Sequence, residues 1–254
     1  MRFSHRAGVT QLVECDLAKV DVAGSNPVSR SNRVTTPAPT FTMVVRAMRK
    51  SVLCFVLAAT AAFGQYKSEP AGAPPAELAP AVSQALEQQG TKIVADNGTV
   101  FCEIWFRASL PKGGSSSDPN ITLTMPQGTL VGAIRFPGPG ADRRGQPIKP
   151  GVYTLRYSLI PVNGDHQGAA PQRDFVLMAP AADDKDATAT PAFEALVAMS
   201  RKASGTPHPA VLSIWGAGAS DPIGFAKQGE NDWVLTKKIG DAPVSVIVVG
   251  KVEG

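Results

Sequence analysis

Between residues 151 and 160 the side chains change character at every step. Tyr153, Leu155, Tyr157 and Leu159 alternate with Thr154, Arg156 and Ser158. A period of two is the spacing of a β-strand, because successive side chains point to opposite faces of the sheet. The pattern predicts an antiparallel sheet with one face buried and the other in water. Similar runs predict strands at 120–124, 129–136, 173–179, 209–215, 232–239 and 243–251. The same period begins at Thr91. Asn97-Gly98 is a two-residue hairpin signal, because this pair accepts the positive φ of a type I′ turn. Beyond it Val100, Cys102, Ile104 and Phe106 share one face.

Two helices interrupt the strands. Leu78, Val82 and Leu86 recur every four residues, which predicts a helix over 76–89 that Gly90 stops. A second helix is expected from Thr190 as N-cap and Pro191 at the first helical position. Phe193, Leu196, Val197 and Ser200 fall on one of its faces, and Gly205 and Pro207 end it. Residues 65–75 read as a polar tether, and 136–150, dense in Pro and Gly, as an irregular loop. The expected fold is mainly β. It is an antiparallel β-sandwich, jelly-roll or immunoglobulin-like, over 91–254, with the linker and short helix at 65–90. A barrel is the second expectation. Parallel βαβ architecture is not expected, because helices do not alternate with strands.

The chain ahead of this domain reads differently. In residues 48–64, Arg49 and Lys50 precede a short apolar run, Val52 to Phe63, and Ala62-Phe63-Gly64 offers a cleavage site. These are the parts of a secretory signal peptide cut at Gly64/Gln65, and the run is shorter than the ~20 residues of a membrane span. Residues 1–47 are expected to be a spurious or disordered extension. Codons for residues 7–14, 17–19 and 24–27 can be written so that they resemble the D-arm, anticodon loop and T-arm of a glycine transfer-RNA gene. Translation is therefore expected to start at Met43 or Met48. Residues 1–64 hold 8 of the 25 basic and 3 of the 21 acidic residues, so the mature chain carries 17 and 18. That balance leaves no basic field for nucleic acid. Cys102 alone remains of three cysteines, so no internal disulfide is expected.

Few residues suggest chemistry. His166, in a loop with Asp165, and His208 both fall at strand ends. With Asp174 they could form a two-histidine, carboxylate site for a divalent metal, with Arg173 and Tyr153 alongside as ligand-binding residues. The spacing matches no metal motif, and two unrelated loop histidines are the plainer expectation. The 183–186 run, Asp-Asp-Lys-Asp, lacks the spacing of a calcium loop and reads as a solvated turn. Arg143-Arg144 and Arg201-Lys202 could bind an anion but read first as solubilising charge. No serine lies in G-x-S-x-G. Cys102, on an apolar strand face, reads as a buried structural thiol. Residues 216–220 lack a complete G-x-G-x-x-G and read as a loop. Trp105, Trp215 and Trp233 sit on strands, as core or edge cover rather than as a sugar platform.

Lys149-Pro150-Gly151-Val152-Tyr153, continuing through Leu155, Arg156 and Tyr157, resembles exported bacterial proteins with a basic-Pro-Gly-x-Tyr-x-Leu-Arg-Tyr strand. The likeness continues through Ile160-Pro161, Arg173-Asp174-Phe175, residues 200–205 and His208-Pro209, and so covers about 76–216. It is looser to secreted β-sandwich domains with a Pro-Ala-Gly-Thr-Tyr-x-Leu strand. The resemblance implies the sandwich and export, and no activity. The expected protein is a secreted or periplasmic binding module for a small ligand, glycan or envelope protein, with no cofactor. The alternative is a metal-binding protein or metal-dependent enzyme using His166, His208 and Asp174.

Overall fold

The computed structural model describes residues 65–111, 113–162 and 172–250. The extension at 1–47, the signal segment at 48–64, Asp165 and His166 lie outside them. Along the described chain run β1 (Tyr66–Gly72), α1 (Pro80–Ala85), β2 (Gly90–Ala95), β3 (Val100–Phe106) and β4 (Leu130–Phe136). Next come β5 (Gly140–Ala141), β6 (Pro147–Ile148), β7 (Gly151–Leu159), β8 (Asp174–Pro180) and α2 (Phe193–Ser204). The last are β9 (Val211–Gly216), β10 (Gly224–Gln228), β11 (Asp232–Ile239) and β12 (Ala242–Val249).

Ten strands form one antiparallel sheet in the order β1-β2-β3-β4-β7-β8-β9-β12-β11-β10, with β5 and β6 as a separate small hairpin. The chain meanders as far as β9, crosses to β10 at the far edge, and returns so that β12 pairs with β9. The two free edges, β1 and β10, approach each other. Tyr66 of β1 meets Trp233 of β11 edge to face at 5.7 Å, and Trp233 stacks on Phe225 of β10 at 5.4 Å. At the opposite end Lys237 of β11 reaches Glu87, just before β2, at 2.6 Å. The sheet is thus nearly closed on itself like a barrel and is not divided into the two stacked layers expected of a sandwich. Alternation fixes that each strand buries one face. It does not fix whether those faces meet by stacking two sheets or by curling one.

The enclosed face carries one continuous core that includes Cys102, Ile104, Ile134, Leu155, Tyr157, Val176, Met178, Ile214, Leu235 and Val246. Each helix covers part of the outer face. Leu78, Val82 and Leu86, the predicted face around α1, pack on Trp105, Leu130 and Ala133. Trp105 Nε1 donates to the Gly72 carbonyl at 2.8 Å. Its ring lies so close to Gly90 that a Cβ there would stand 2.4 Å from Nε1, so this strand start requires glycine. Leu196 of α2 packs on Phe175 and Leu177. Gly205 ends α2 at φ 70°, in the left-handed conformation, and its N–H returns to the Arg201 carbonyl.

Several expectations give way to tertiary pairing. The tether at 65–75 contains β1, whose Tyr66 pairs with Ala95. Pro70 and the charges of Lys67 and Glu69 mark it as a protected edge. The helix at 76–89 shrinks to Pro80–Ala85, because Leu86 turns extended and bridges to Arg107. α2 starts after Ala192, so Thr190 and Pro191 precede it. The run at 120–124 is not a strand, the irregular loop at 136–150 contains the β5–β6 hairpin, and β10 carried no alternation that marked it. The β2–β3 hairpin has a three-residue loop. Gly98 N–H bonds to the Ala95 carbonyl at 2.8 Å, Gly98 takes φ 81°, and Ala95 N–H bonds to Thr99.

The largest correction concerns the face of β7 expected to be wet. Thr154, Arg156 and Ser158 are each 0 % exposed. The Arg156 guanidinium spends all five of its N–H groups on protein acceptors. Nε and Nη2 grip the two Asp184 oxygens at 2.7 Å each, Nη2 also reaches the Asp186 carbonyl at 2.5 Å, and Nη1 reaches Gly128 and Ala189 at 3.1 and 2.6 Å. Thr154 Oγ1 donates to the same Asp184 carboxylate. Asp184 is therefore a buried counter-ion and not part of a solvated turn. Removing one partner of such a pair strands the other charge and costs about 3–5 kcal/mol, whereas replacing both by apolar groups costs much less. Asp184→Ala is expected to lower the urea midpoint strongly, and Arg156→Met/Asp184→Leu to lower it less than Asp184→Ala alone. An Asp184→Ala protein that unfolds at the wild-type midpoint would contradict this account.

Candidate functional site

Antiparallel order places strand ends at two mouths. One mouth gathers the start of β7, the ends of β4 and β8, and the residues before β9, and the β5–β6 hairpin lies over it. Two arginines fasten that hairpin. Arg143 forms a bidentate pair with Asp232 at 2.9–3.1 Å. Arg144 bonds to buried Asp142 at 2.9 Å and to the Pro209 carbonyl at 3.0 Å. These arginines pin structure and are not merely solubilising charge. The other mouth carries the end of β7 and the start of β8, covered by residues 109–111 and 122–125.

The residues singled out in the sequence divide between these mouths. Tyr153 is on the hairpin side, with its hydroxyl donating to the Lys149 carbonyl at 2.7 Å. His208 is exposed on the same side, where its main-chain oxygen accepts from Ser204 at 2.6 Å. Asp174 and Arg173 are at the opposite mouth. Leu159 pairs with Asp174 and Tyr153 with Pro180, six residues along, which is about 20 Å at the rise of a strand. The Met178–Ala210 hydrogen bond puts His208 at the Pro180 level, about as far from Asp174. Asp174 and His208 therefore do not share an ion. Among the described residues no three His, Cys, Asp or Glu side chains form a metal-binding group.

Asp174 has a different task. Its carboxylate accepts from Thr122 N and Oγ1 at 2.7 and 2.8 Å, from Leu123 N at 3.1 Å and from the Tyr157 hydroxyl at 2.7 Å. Those bonds hold 120–124 against the sheet without a strand partner. Burial, then the hydrogen bond to Asp174 and that residue's charge, push the Tyr157 hydroxyl far above the ordinary phenol value. Arg173 sits beside it, bonded to the Ile160 carbonyl at 3.0 and 3.1 Å and to Asp118 at 2.6 Å. That guanidinium, with the backbone N–H of Asn120, holds the Asp118 carboxyl below its usual range.

The more promising surface was not singled out. An open groove of 780 Å³ runs outside the hairpin mouth, between the segment leading into α1 and the C-terminal half of α2. Val152, Pro180, Ala181 and Pro137 give it an apolar floor on strand ends, and Glu77, Arg135, Lys149 and Lys202 supply charge. Two of these charges are already paired. Lys202 meets Asp183 at 3.0 Å. Arg135 stands 2.5 Å from Glu103, at the end of an alternating row, Glu69, Lys92, Glu103 and Arg135, in register across four strands. Glu77 and Lys149 are exposed and enter no ion pair among the described residues. The Lys149 side chain lies along Gly205, at the C-terminus of α2. The signals for this site were Lys149 before Pro150-Gly151 and the Arg201-Lys202 pair, but nothing in the sequence joins them to Glu77.

A smaller crevice of 510 Å³ lies at the other mouth, lined by Leu110, Leu123, Met125 and Ile239. Cys102 is fully buried, and burial, with a smaller push from Glu103, raises its thiol beyond the ordinary range.

Two measurements check these environments. Cys102 is expected to react with a thiol reagent only as the protein unfolds; rapid reaction under native conditions would contradict the core placement. Because the folded Asp118 carboxyl is depressed, its contribution is present above the ordinary carboxylate value of about 3.9 and is lost as pH falls through the folded value. Arg173→Gln should move the Asp118 titration, followed by NMR, upward toward the ordinary value. No family model, curated protein or solved structure matches the chain, so its function is argued from these contacts alone.

Proposed function

We propose that the chain is an exported, non-catalytic binding module that holds a small polar ligand in the groove between the segment leading into α1 and the C-terminal half of α2. The single observation carrying this reading is the groove itself. Its 780 Å³ falls within the roughly 300–1,000 Å³ of small-ligand sites, and it joins an apolar floor to a few charged groups, as such sites do. The floor rests on paired strand ends, which favours a preformed surface. Glu77 and Lys149, of opposite sign and both without an ion-pair partner among the described residues, favour a ligand carrying both an acidic and a basic group, such as an amino acid or short peptide. A glycan is favoured less, because the groove's aromatic residues, Phe136 and Tyr153, are 1 % and 5 % exposed and offer no ring face for stacking. Export rests on the leader at 48–64, and the compartment is the periplasm or the exterior. With Asp174 and His208 apart, the geometry gives the metal alternative no support.

The test is a thermal-shift screen of the chain expressed from Met48, against amino acids, di- and tripeptides and oligosaccharides. Each hit is then titrated by calorimetry. An amino acid or peptide is expected to bind, and Lys149→Glu and Ala182→Trp to weaken it at least tenfold, about 1.4 kcal/mol. Ala182 is exposed on the groove wall, so the tryptophan fills the groove without entering the core. Hits that bind both variants as tightly as wild type, or no hit at all, would refute the groove.

A further inference from the structure

The first described residue makes a contact that serves an amide and would serve an ammonium better. The Gln65 main-chain nitrogen lies 2.9 Å from Asp96 Oδ2, and the Asp96 N–H returns to the Gln65 carbonyl at 3.0 Å. Asp96 is exposed in the β2–β3 turn, and its field also acts on Lys67, the other cation nearby. The next residue is Tyr66, whose ring packs on Phe101 and on Trp233 and so joins β1 to the far edge of the sheet.

We propose that removal of the leader before Gln65 completes this contact: the new α-ammonium pairs with Asp96 and locks the start of β1 at the barrel seam. The inference rests on the export reading and on cleavage at Gly64/Gln65. Hydrolysis of that amide by a signal peptidase consumes one water. It leaves a carboxylate on Gly64 and an amine on Gln65 that takes up a proton. In the precursor the same nitrogen is a neutral amide with one N–H to give. After cleavage it is a cation with three N–H donors where the amide nitrogen lay 2.9 Å from the carboxylate, so a hydrogen bond to one charged partner becomes an ion pair between two.

The pairing has a chemical consequence. An N-terminal glutamine cyclises when its neutral amine attacks its own side-chain Cδ. A C–N bond forms, the bond from Cδ to the side-chain nitrogen breaks, and ammonia leaves. A protonated amine held by Asp96 has no lone pair for that attack, so the mature N-terminus is protected.

The experiment compares the exported wild-type chain with Asp96→Asn, which keeps the turn and removes the charge. N-terminal sequencing and intact mass first establish where the mature chain begins. Asp96→Asn is expected to lower the pKa of the Gln65 amine, followed by NMR, by about half a unit, a threefold change in proton affinity. It is also expected to lose ammonia, seen as a fall of about 17 Da, several-fold faster than wild type. A mature chain starting elsewhere would refute the cleavage reading and the inference with it. A chain that starts at Gln65 but has the same amine titration and cyclisation rate in both proteins would refute the latch and leave export standing.

Discussion

The outer layer of this protein depends on one buried cation. Arg156 projects from the outer face of the central strand β7, and five acceptors from two loop segments converge on it. A guanidinium without water is tolerable only when its charge and all its N–H groups are answered. Residues 126–129 and 184–189 must therefore fold down over the sheet. Through Asp184 the same constraint reaches the groove. Ala181 lies in its floor and Ala182 on its wall, and Asp183 offers its carboxylate to Lys202. The site's shape is set by a contact that does not line it.

The enclosed face follows a different rule. Its side chains form one continuous packed core. The groove and the smaller crevice lie where loops and helices meet strand ends. The two mouths differ in how they are covered. Paired arginines hold the hairpin over one, and Asp174 holds residues 120–124 over the other. In both places a carboxylate organises backbone or guanidinium donors, a structural use of the residue types that a search for metal ligands also selects.

Much of the fold was legible where periodicity was strong. The strands over 129–136, 151–160, 173–179, 209–215, 232–239 and 243–251 all appear within one or two residues, because burial of one face imposes alternation. Cys102 and the two helical faces were legible for the same reason. β1 and β10 were not. They are edge strands, with polar residues, Pro70 and glycines, and only their partners make them strands. The site was legible only in fragments. Lys149 and Lys202 were visible as charges, but Glu77 lies 72 positions before Lys149, and no local pattern relates them.

The sequence by itself determined an antiparallel β protein with two short helices and an apolar strand face that carries its lone domain cysteine. These follow from spacings of two and four residues, which the backbone enforces locally. Tertiary structure decided that the sheet curls toward closure, that Arg156 is buried, and that Asp174 and His208 belong to opposite ends. Each of these depends on which residues distant in the chain become neighbours. Charges and polar groups do not announce their partners, because an aspartate in a solvated turn and one buried against an arginine are the same letter until the chain is folded around them.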